Sequence, residues 1–145
     1  MGRLPRNVLS DGVFHAYARG TGPIVIYEDA ADYDIFASML RSSVRRFEWR
    51  LLAYCLMPTH YHLVLDARLD GLSRGMHRLN GSYAQYFNRR HRRNGHLFGD
   101  RFGARLVEDE TYLDRLLLYV VANPVRAGHC ETPTDWPWSW STFEP

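Results

Sequence analysis

Lysine is absent from this chain. All 18 basic residues are arginines, set against 16 acidic residues. Every cation therefore carries a planar guanidinium fork, which fits phosphate oxygens two at a time. Cysteine is scarce: Cys55 and Cys130 are too few for a disulfide framework and fall in no metal-binding spacing. Cys55 lies inside an apolar run and is expected as a small core residue. No apolar stretch approaches the length of a membrane span. The opening MGRLPRNVLSDG has no apolar core of signal-peptide length, which makes the cytoplasm the expected location. Repeats, low-complexity segments and domain-dividing linkers are missing as well. Residues 1–145 are therefore expected to form one domain, with 46% hydrophobic and 23% charged residues to build an ordinary core.

The net charge is only +2, but the charges are segregated. Arg74, Arg78, Arg89, Arg90, Arg92, Arg93, Arg101 and Arg105 fall within one segment in which Asp100 is the sole acid. Acidic residues collect instead in Glu28–Asp34, Glu108–Asp114 and the C-terminal tail. Tyr83, Tyr86, Phe87, Phe98 and Phe102 interleave with the arginines. Such a segment suits nucleic acid, with arginines on phosphates and aromatic rings stacked on exposed bases. A solvated helix face is the alternative reading.

Residues 13–19, VFHAYAR, alternate as a first strand with Val13, His15 and Tyr17 on one side. After the turn GTGP, Asp29 or Asp32 caps a helix whose apolar positions are Tyr33, Phe36, Leu40, Val44 and Phe47. Trp49 to Asp66 is strand-like. Pro58 interrupts it, so a hairpin or bulge is expected, with a second strand from about Thr59 to Asp66. A second helix, Leu72 to Arg90, buries Leu72, Met76, Leu79, Tyr83 and Tyr86. Gly75 and Gly81 each weaken it by about 1 kcal/mol against alanine, so packing or close approach of a ligand must compensate. HLFGDRFGARLVED reads as a loop and a strand, and Asp109 caps a third helix that Pro124 stops. NPVRAG is a turn, and DWPWSWSTF an aromatic tail lying on the body. The mixed order suggests an antiparallel α+β sandwich.

One stretch asks for a chemical explanation: MPTHYHLVL, residues 57–65. Strand alternation turns His60 and His62 to one face and Tyr61 to the other, with the two Cα atoms roughly 6–7 Å apart. Both imidazoles can then reach one ion, or both can simply pack. A third ligand would have to come from elsewhere. On the third helix Tyr119 and Asn123 share a face with Leu116 and Tyr112, while Leu113, Leu117, Val120 and Val121 suit contact with the sheet. Asn123 can offer an oxygen and Tyr119 a hydroxyl beside a metal. Equally, Tyr119 can be a core aromatic and Asn123 a C-cap.

MPTHYHLVL resembles the HUH motif (histidine, hydrophobic, histidine) of single-tyrosine transposases. SYAQYFNRRHRRNGHLFGDRF, YLDRLLLYVVANPVRAGH and DWPWSWSTF, together with FHAYARGTG near the start, are similar to the REP-associated tyrosine transposases of bacteria. The ordered set runs from Phe14 to Phe143. The resemblance implies a ferredoxin-like (RRM-like) antiparallel sheet with helices on one face. It also implies that His60 and His62 hold Mg²⁺ or Mn²⁺, that Asn123 helps, and that Tyr119 is the nucleophile. Tyr83 and Tyr86 are rival tyrosines. The chain has little beyond Phe143, where longer relatives carry extensions, a difference that bears on substrate affinity.

A phenol has a pKa of about 10 and is a weak nucleophile at neutral pH, so cleavage needs assistance on the phosphate. The expected reaction is attack of Tyr119 on single-stranded DNA. It gives a 5′-phosphotyrosine link and a free 3′-OH, and reverses to join a new end. The expected partners are single-stranded or hairpin DNA with REP-like palindromes, contacted by the eight arginines, and the state is monomer or homodimer. Two other readings stay open. One is a non-catalytic RRM-like nucleic-acid-binding module; the other is a metal-dependent phosphoesterase of small nucleotides.

Overall fold

The computed structural model describes residues 12–142. The N-terminal stretch inspected above for a leader, and Phe143, lie outside the described residues.

Alternation builds the sheet. β1 (Gly12–Arg19), β2 (Arg50–Met57), β3 (His60–Ala67), β4 (Gly103–Leu106) and β5 (Ser139–Ser141) lie in the order β4-β1-β3-β2-β5. Every paired neighbour is antiparallel. β3 is central and covered on both faces, as its run of apolar and aromatic residues requires. Tyr61, Leu63 and Leu65 enter one core, and Val64 enters the other. Only Pro58 and Thr59 separate β2 from β3, so the proline marks a tight hairpin. The hairpin is pinned from outside: Gly20 N–H donates to the Thr59 carbonyl at 2.8 Å and Ile26 N–H to the Pro58 carbonyl at 2.7 Å. His60, the first residue of β3, is thereby held in place.

Two helices cover the first face. α1 (Ala30–Arg46) is capped by Asp29, whose side chain accepts from Asp32 N–H. It buries Tyr33, Phe36 and Leu40. α2 (Leu69–Arg90) buries Leu72, Met76, Leu79, Tyr83 and Phe87. Phe87 takes the place expected of Tyr86, which is half-buried with its hydroxyl donating to Asp32 Oδ1 at 2.7 Å. The helix glycines divide. A Cβ on Gly75 would meet the Trp49 ring at 2.2 Å, so Gly75 is required by packing, whereas Gly81 faces open space.

α3 (Glu110–Val121) corrects the expectation of helices on one face. It lies against the opposite face, where Leu116, Leu117 and Val120 pack on Val13, Ala53, Cys55, Met57 and Val64. The antiparallel sheet with helices packed on it is as expected; the cover on its second face is not. Here the apolar residues of β1, β2 and β3 that point there need covering, and α3 supplies the cover. Asp109 caps α3, accepting from Tyr112 N–H at 2.8 Å. NPVRAG is a single helical turn, α4 (Asn123–Arg126), with Pro124 in its first turn. The tail closes the sheet: β5 pairs with β2, Trp136 Nε1 donates to the Leu56 carbonyl at 2.9 Å, and Trp138 stacks on Tyr33 at 4.7 Å. No helix among the described residues is long and apolar enough to cross a membrane.

Candidate active site

α3 lands on the face that carries His60 and His62. The two imidazole rings lie 5.2 Å apart, nearly perpendicular. The Tyr119 ring stands edge-on to His62 at 6.5 Å. Tyr119 is 50% exposed, and its hydroxyl has no hydrogen-bond partner among the described residues. Helix periodicity explains the placement: Leu116 and Val120 anchor α3 on the sheet, which leaves Tyr119 at the rim rather than inside. His62 and Tyr119 open on a cleft of about 440 Å³ that His15, Tyr17, Arg105, Tyr112 and Arg115 help to line; His60 and Asn123 are not among its lining residues. Gly103, opposite Tyr17 in the β1–β4 register, makes room for the phenol, since a Cβ there would meet the Tyr17 ring at 2.3 Å.

Burial makes these imidazoles neutral. It pushes His62 down to about 3, helped by neighbouring His15, His60, Arg126 and Arg19. His15 falls to about 4 through burial and Arg105, and His60 is lowered by burial and Arg19. Neutral imidazole is the form that ligates metals. Each histidine of the pair uses Nδ1 within the protein: His60 Nδ1 meets Thr59 Oγ1 at 3.1 Å, and His62 Nδ1 meets His15 Nε2 at 2.9 Å. Nε2 of each is left for other use. This donor set fits a divalent ion with two nitrogen ligands and open positions for phosphate or water. No group of three His, Cys, Asp or Glu among the described residues is arranged to hold one.

Asn123 sits one turn beyond Tyr119, as the spacing predicts, but its amide is engaged at both ends. Nδ2 donates to the Val120 carbonyl at 3.1 Å, and Oδ1 accepts from Arg126 Nη2 at 2.9 Å. Arg126 also lies over the Tyr119 ring at 3.9 Å and donates to the Tyr119 carbonyl at 3.1 Å. Arg126 takes one lone pair of that oxygen, so service by Asn123 as a ligand would fall to the second.

The eight arginines do not form one surface. Arg105 lines the histidine cleft, whereas Arg74 and Arg101 line a second, open groove of about 900 Å³ with His77, Asn80, Gly81 and Phe98. Arg78, Arg89 and Arg92 are exposed. Arg90 is tied to acids, with Nη1 and Nη2 on Asp29 at 2.6 and 2.7 Å and Nη1 on Asp32 at 2.7 Å. Arg93 braces its own loop through Asn88, Gly95 and His96. The rival tyrosines are structural. Tyr83 is buried, donates its hydroxyl to the Ile26 carbonyl, and is pushed far above the usual phenol range by burial. Tyr86 is raised by burial and by its bond to Asp32.

His15, Tyr17 and Arg115 line the candidate site and Arg126 contacts Tyr119, and sequence reasoning singled out none of the four for it. The alternation of β1 did put His15 and Tyr17 on one side, but only the pairing of β1 with β3 brings that side beside His62.

A family model described as "Transposase IS200 like" matches residues 25–123, a span that includes His60, His62, Tyr119 and Asn123. The chain belongs to the IS200-like transposase family. A Haemophilus influenzae protein named as a REP-associated tyrosine transposase is 27% identical over 116 residues, covering 72% of this chain. The chain spans 65% of that relative's length. A solved REP-associated tyrosine transposase bound to a REP hairpin matches with a TM-score of 0.77 at 16% identity, covering 96% of this chain and 82% of that one. A crystal structure assigned as a transposase of Deinococcus radiodurans matches with a TM-score of 0.52 at 18% identity, over 80% of this chain and 93% of that one. At these identities the two structures show the shared fold.

Proposed function

We propose that this chain nicks and rejoins single-stranded DNA as a transposase-type enzyme, with Tyr119 as nucleophile and hairpin or REP-like palindromic DNA as substrate. The observation that carries the reading is the half-exposed Tyr119 ring set edge-on to half-buried, neutral His62 in an arginine-lined cleft.

The residues divide the work. Arg105 and Arg115, both exposed on the cleft, draw the phosphodiester in by charge. Arg126 holds the phenol ring by its face and leaves the hydroxyl edge toward the cleft. Tyr119 Oη bonds to phosphorus as the P–O3′ bond breaks. The phenol proton passes to solvent or a neighbouring base, and O3′ takes a proton from solvent and leaves as a hydroxyl. The phosphotyrosine keeps the energy of the broken ester, so a second 3′-OH can reverse the step. Mg²⁺ or Mn²⁺ held by His60 and His62 would neutralise charge on a non-bridging phosphate oxygen.

Incubating the full chain with single-stranded hairpins and Mn²⁺ tests this directly. The expected product is a denaturant-resistant protein–DNA adduct, lost with chelator and with His60→Ala plus His62→Ala. A chain that binds hairpins but never nicks them is a binding module instead, and hydrolysis without an adduct makes it a phosphoesterase.

The groove of Arg74 and Arg101 is proposed to hold part of the same DNA. Gly81 supports this: an exposed helix glycine that no protein atom crowds lets a backbone approach closely. Arg74→Ala with Arg101→Ala should make the plot of log affinity against log salt shallower by about 1 to 2. Adduct formation at saturating DNA should be unchanged. An unaltered salt slope would remove the groove from the DNA path.

A further inference from the structure

His15 lies outside the span matched by the family model, on a different strand from the histidine pair. In the β1–β3 register its partner is Val64, two residues from His62, so the two imidazoles meet diagonally across the strands. The rings stack at 5.1 Å with 29° between their planes, and His15 Nε2 lies 2.9 Å from His62 Nδ1. A neutral imidazole has a single N–H. One ring must therefore donate and the other accept, and the choice fixes what His62 shows the cleft. If His15 donates, the proton of His62 sits on Nε2 and no lone pair is available there. If His62 donates from Nδ1, its Nε2 is bare.

We propose that His15 is a positioning residue that accepts the Nδ1 proton of His62 and thereby holds His62 Nε2 bare toward the Tyr119 cleft. The charge that lines the cleft chooses this direction. Among the described residues that line the cleft the charged groups are Arg105 and Arg115, guanidiniums that donate and never accept, and there is no carboxylate. An N–H at His62 Nε2 would turn a positive edge toward those cations, whereas a bare nitrogen offers them a lone pair. The contact of His60 Nδ1 with the Thr59 hydroxyl is compatible with the same plan, since a hydroxyl can accept a hydrogen bond as well as give one. Both imidazoles are thus tethered through Nδ1 and kept open at Nε2. A ligating histidine held through its other ring nitrogen is orientated and made more basic. That consequence rests on the function proposed above; the tautomer itself does not.

The test begins with the metal-free full chain, labelled with ¹⁵N, in long-range ¹H–¹⁵N correlation spectra at pH 7.5. His62 should show a protonated Nδ1 and a bare Nε2. A proton on Nε2 overturns the proposal. Mn²⁺ alone is then titrated and free Mn²⁺ read by electron paramagnetic resonance. His15→Leu should weaken binding by about 10- to 100-fold. His15→Gln, whose Oε1 reaches the position of Nε2 and accepts the same proton, should restore most of the affinity. Folded His15→Leu protein that binds Mn²⁺ like the parent also overturns the positioning role. If His15→Leu does not fold, the wild-type tautomer still decides. A bare Nε2 with no Mn²⁺ affinity in the wild type supports the tautomer and refutes instead the metal role proposed for His60 and His62.

Discussion

Tyr119→Phe will form no denaturant-resistant adduct with hairpin DNA, while its affinity for that DNA stays within about twofold of the parent, since phosphate and base contacts set binding. The expected loss is complete because the change deletes the attacking atom. The expected retention follows from geometry. The Tyr119 hydroxyl holds no other described residue, and its contact with Arg126 is through the ring face, which phenylalanine keeps. Stability should move by no more than about 0.5 kcal/mol, as for other exposed substitutions. The assay is a denaturing gel with labelled DNA, beside a binding curve at fixed salt. Persistent adducts would shift the role to another phenol, and the structure narrows the search. Tyr83 and Tyr86 have their hydroxyls engaged by the Ile26 carbonyl and by Asp32, whereas Tyr112 and Tyr17 line the same cleft as Tyr119. Tyr112→Phe and Tyr17→Phe are therefore the informative controls.

What the sequence disclosed about this site was local. Alternation alone puts His60 and His62 on one face, and helical spacing alone puts Asn123 one turn after Tyr119. Asp109 before an apolar helix reads as a cap from chain order, and it is one. Contacts that depend on register could not be read this way. Nothing in VFHAYAR says that β1 pairs with β3 so as to set His15 beside His62, because a shift of one residue would turn His15 to the other face. The side of the sheet that α3 covers was hidden for a similar reason: an amphipathic helix shows that it has an apolar face, not which surface receives it. The arginine cluster was legible as a charge density but not as a surface. Arg90 and Arg93 look the same as Arg74 in sequence, yet one is held by Asp29 and Asp32 and the other by its own loop. Partners of long side chains depend on loop paths that composition does not encode.

Asp32→Ala should cost about 3 kcal/mol of unfolding free energy, at the lower end for breaking a buried charge pair because Arg90 can turn to water. Asp32 was read as one of two caps for α1. Asp29 fills that role, and Asp32 instead sits fully buried where α1 meets the C-terminal end of α2. Its oxygens accept from Glu28 N–H at 2.8 Å, Tyr86 Oη at 2.7 Å and Arg90 Nη1 at 2.7 Å, and meet His91 Nε2 at 2.8 Å. Alanine would strand those donors, and each one left buried without a partner costs about 1–3 kcal/mol. Burial alone would raise the carboxyl, but these four partners together hold it below the ordinary 3.8. The sign of the pH dependence follows. The native state binds fewer protons than the unfolded chain at this group, so its stabilisation is complete above the unfolded value and is lost as pH falls through the folded one. Asp32→Asn, which keeps the shape and removes the charge, should therefore trail the parent by its full margin at pH 6. That margin should narrow below about pH 3.8, as protonation makes the wild-type side chain neutral too. Urea unfolding of the three proteins across that range measures it. A margin that stayed constant down to pH 2 would mean that shape, and not ionisation, joins the two helices.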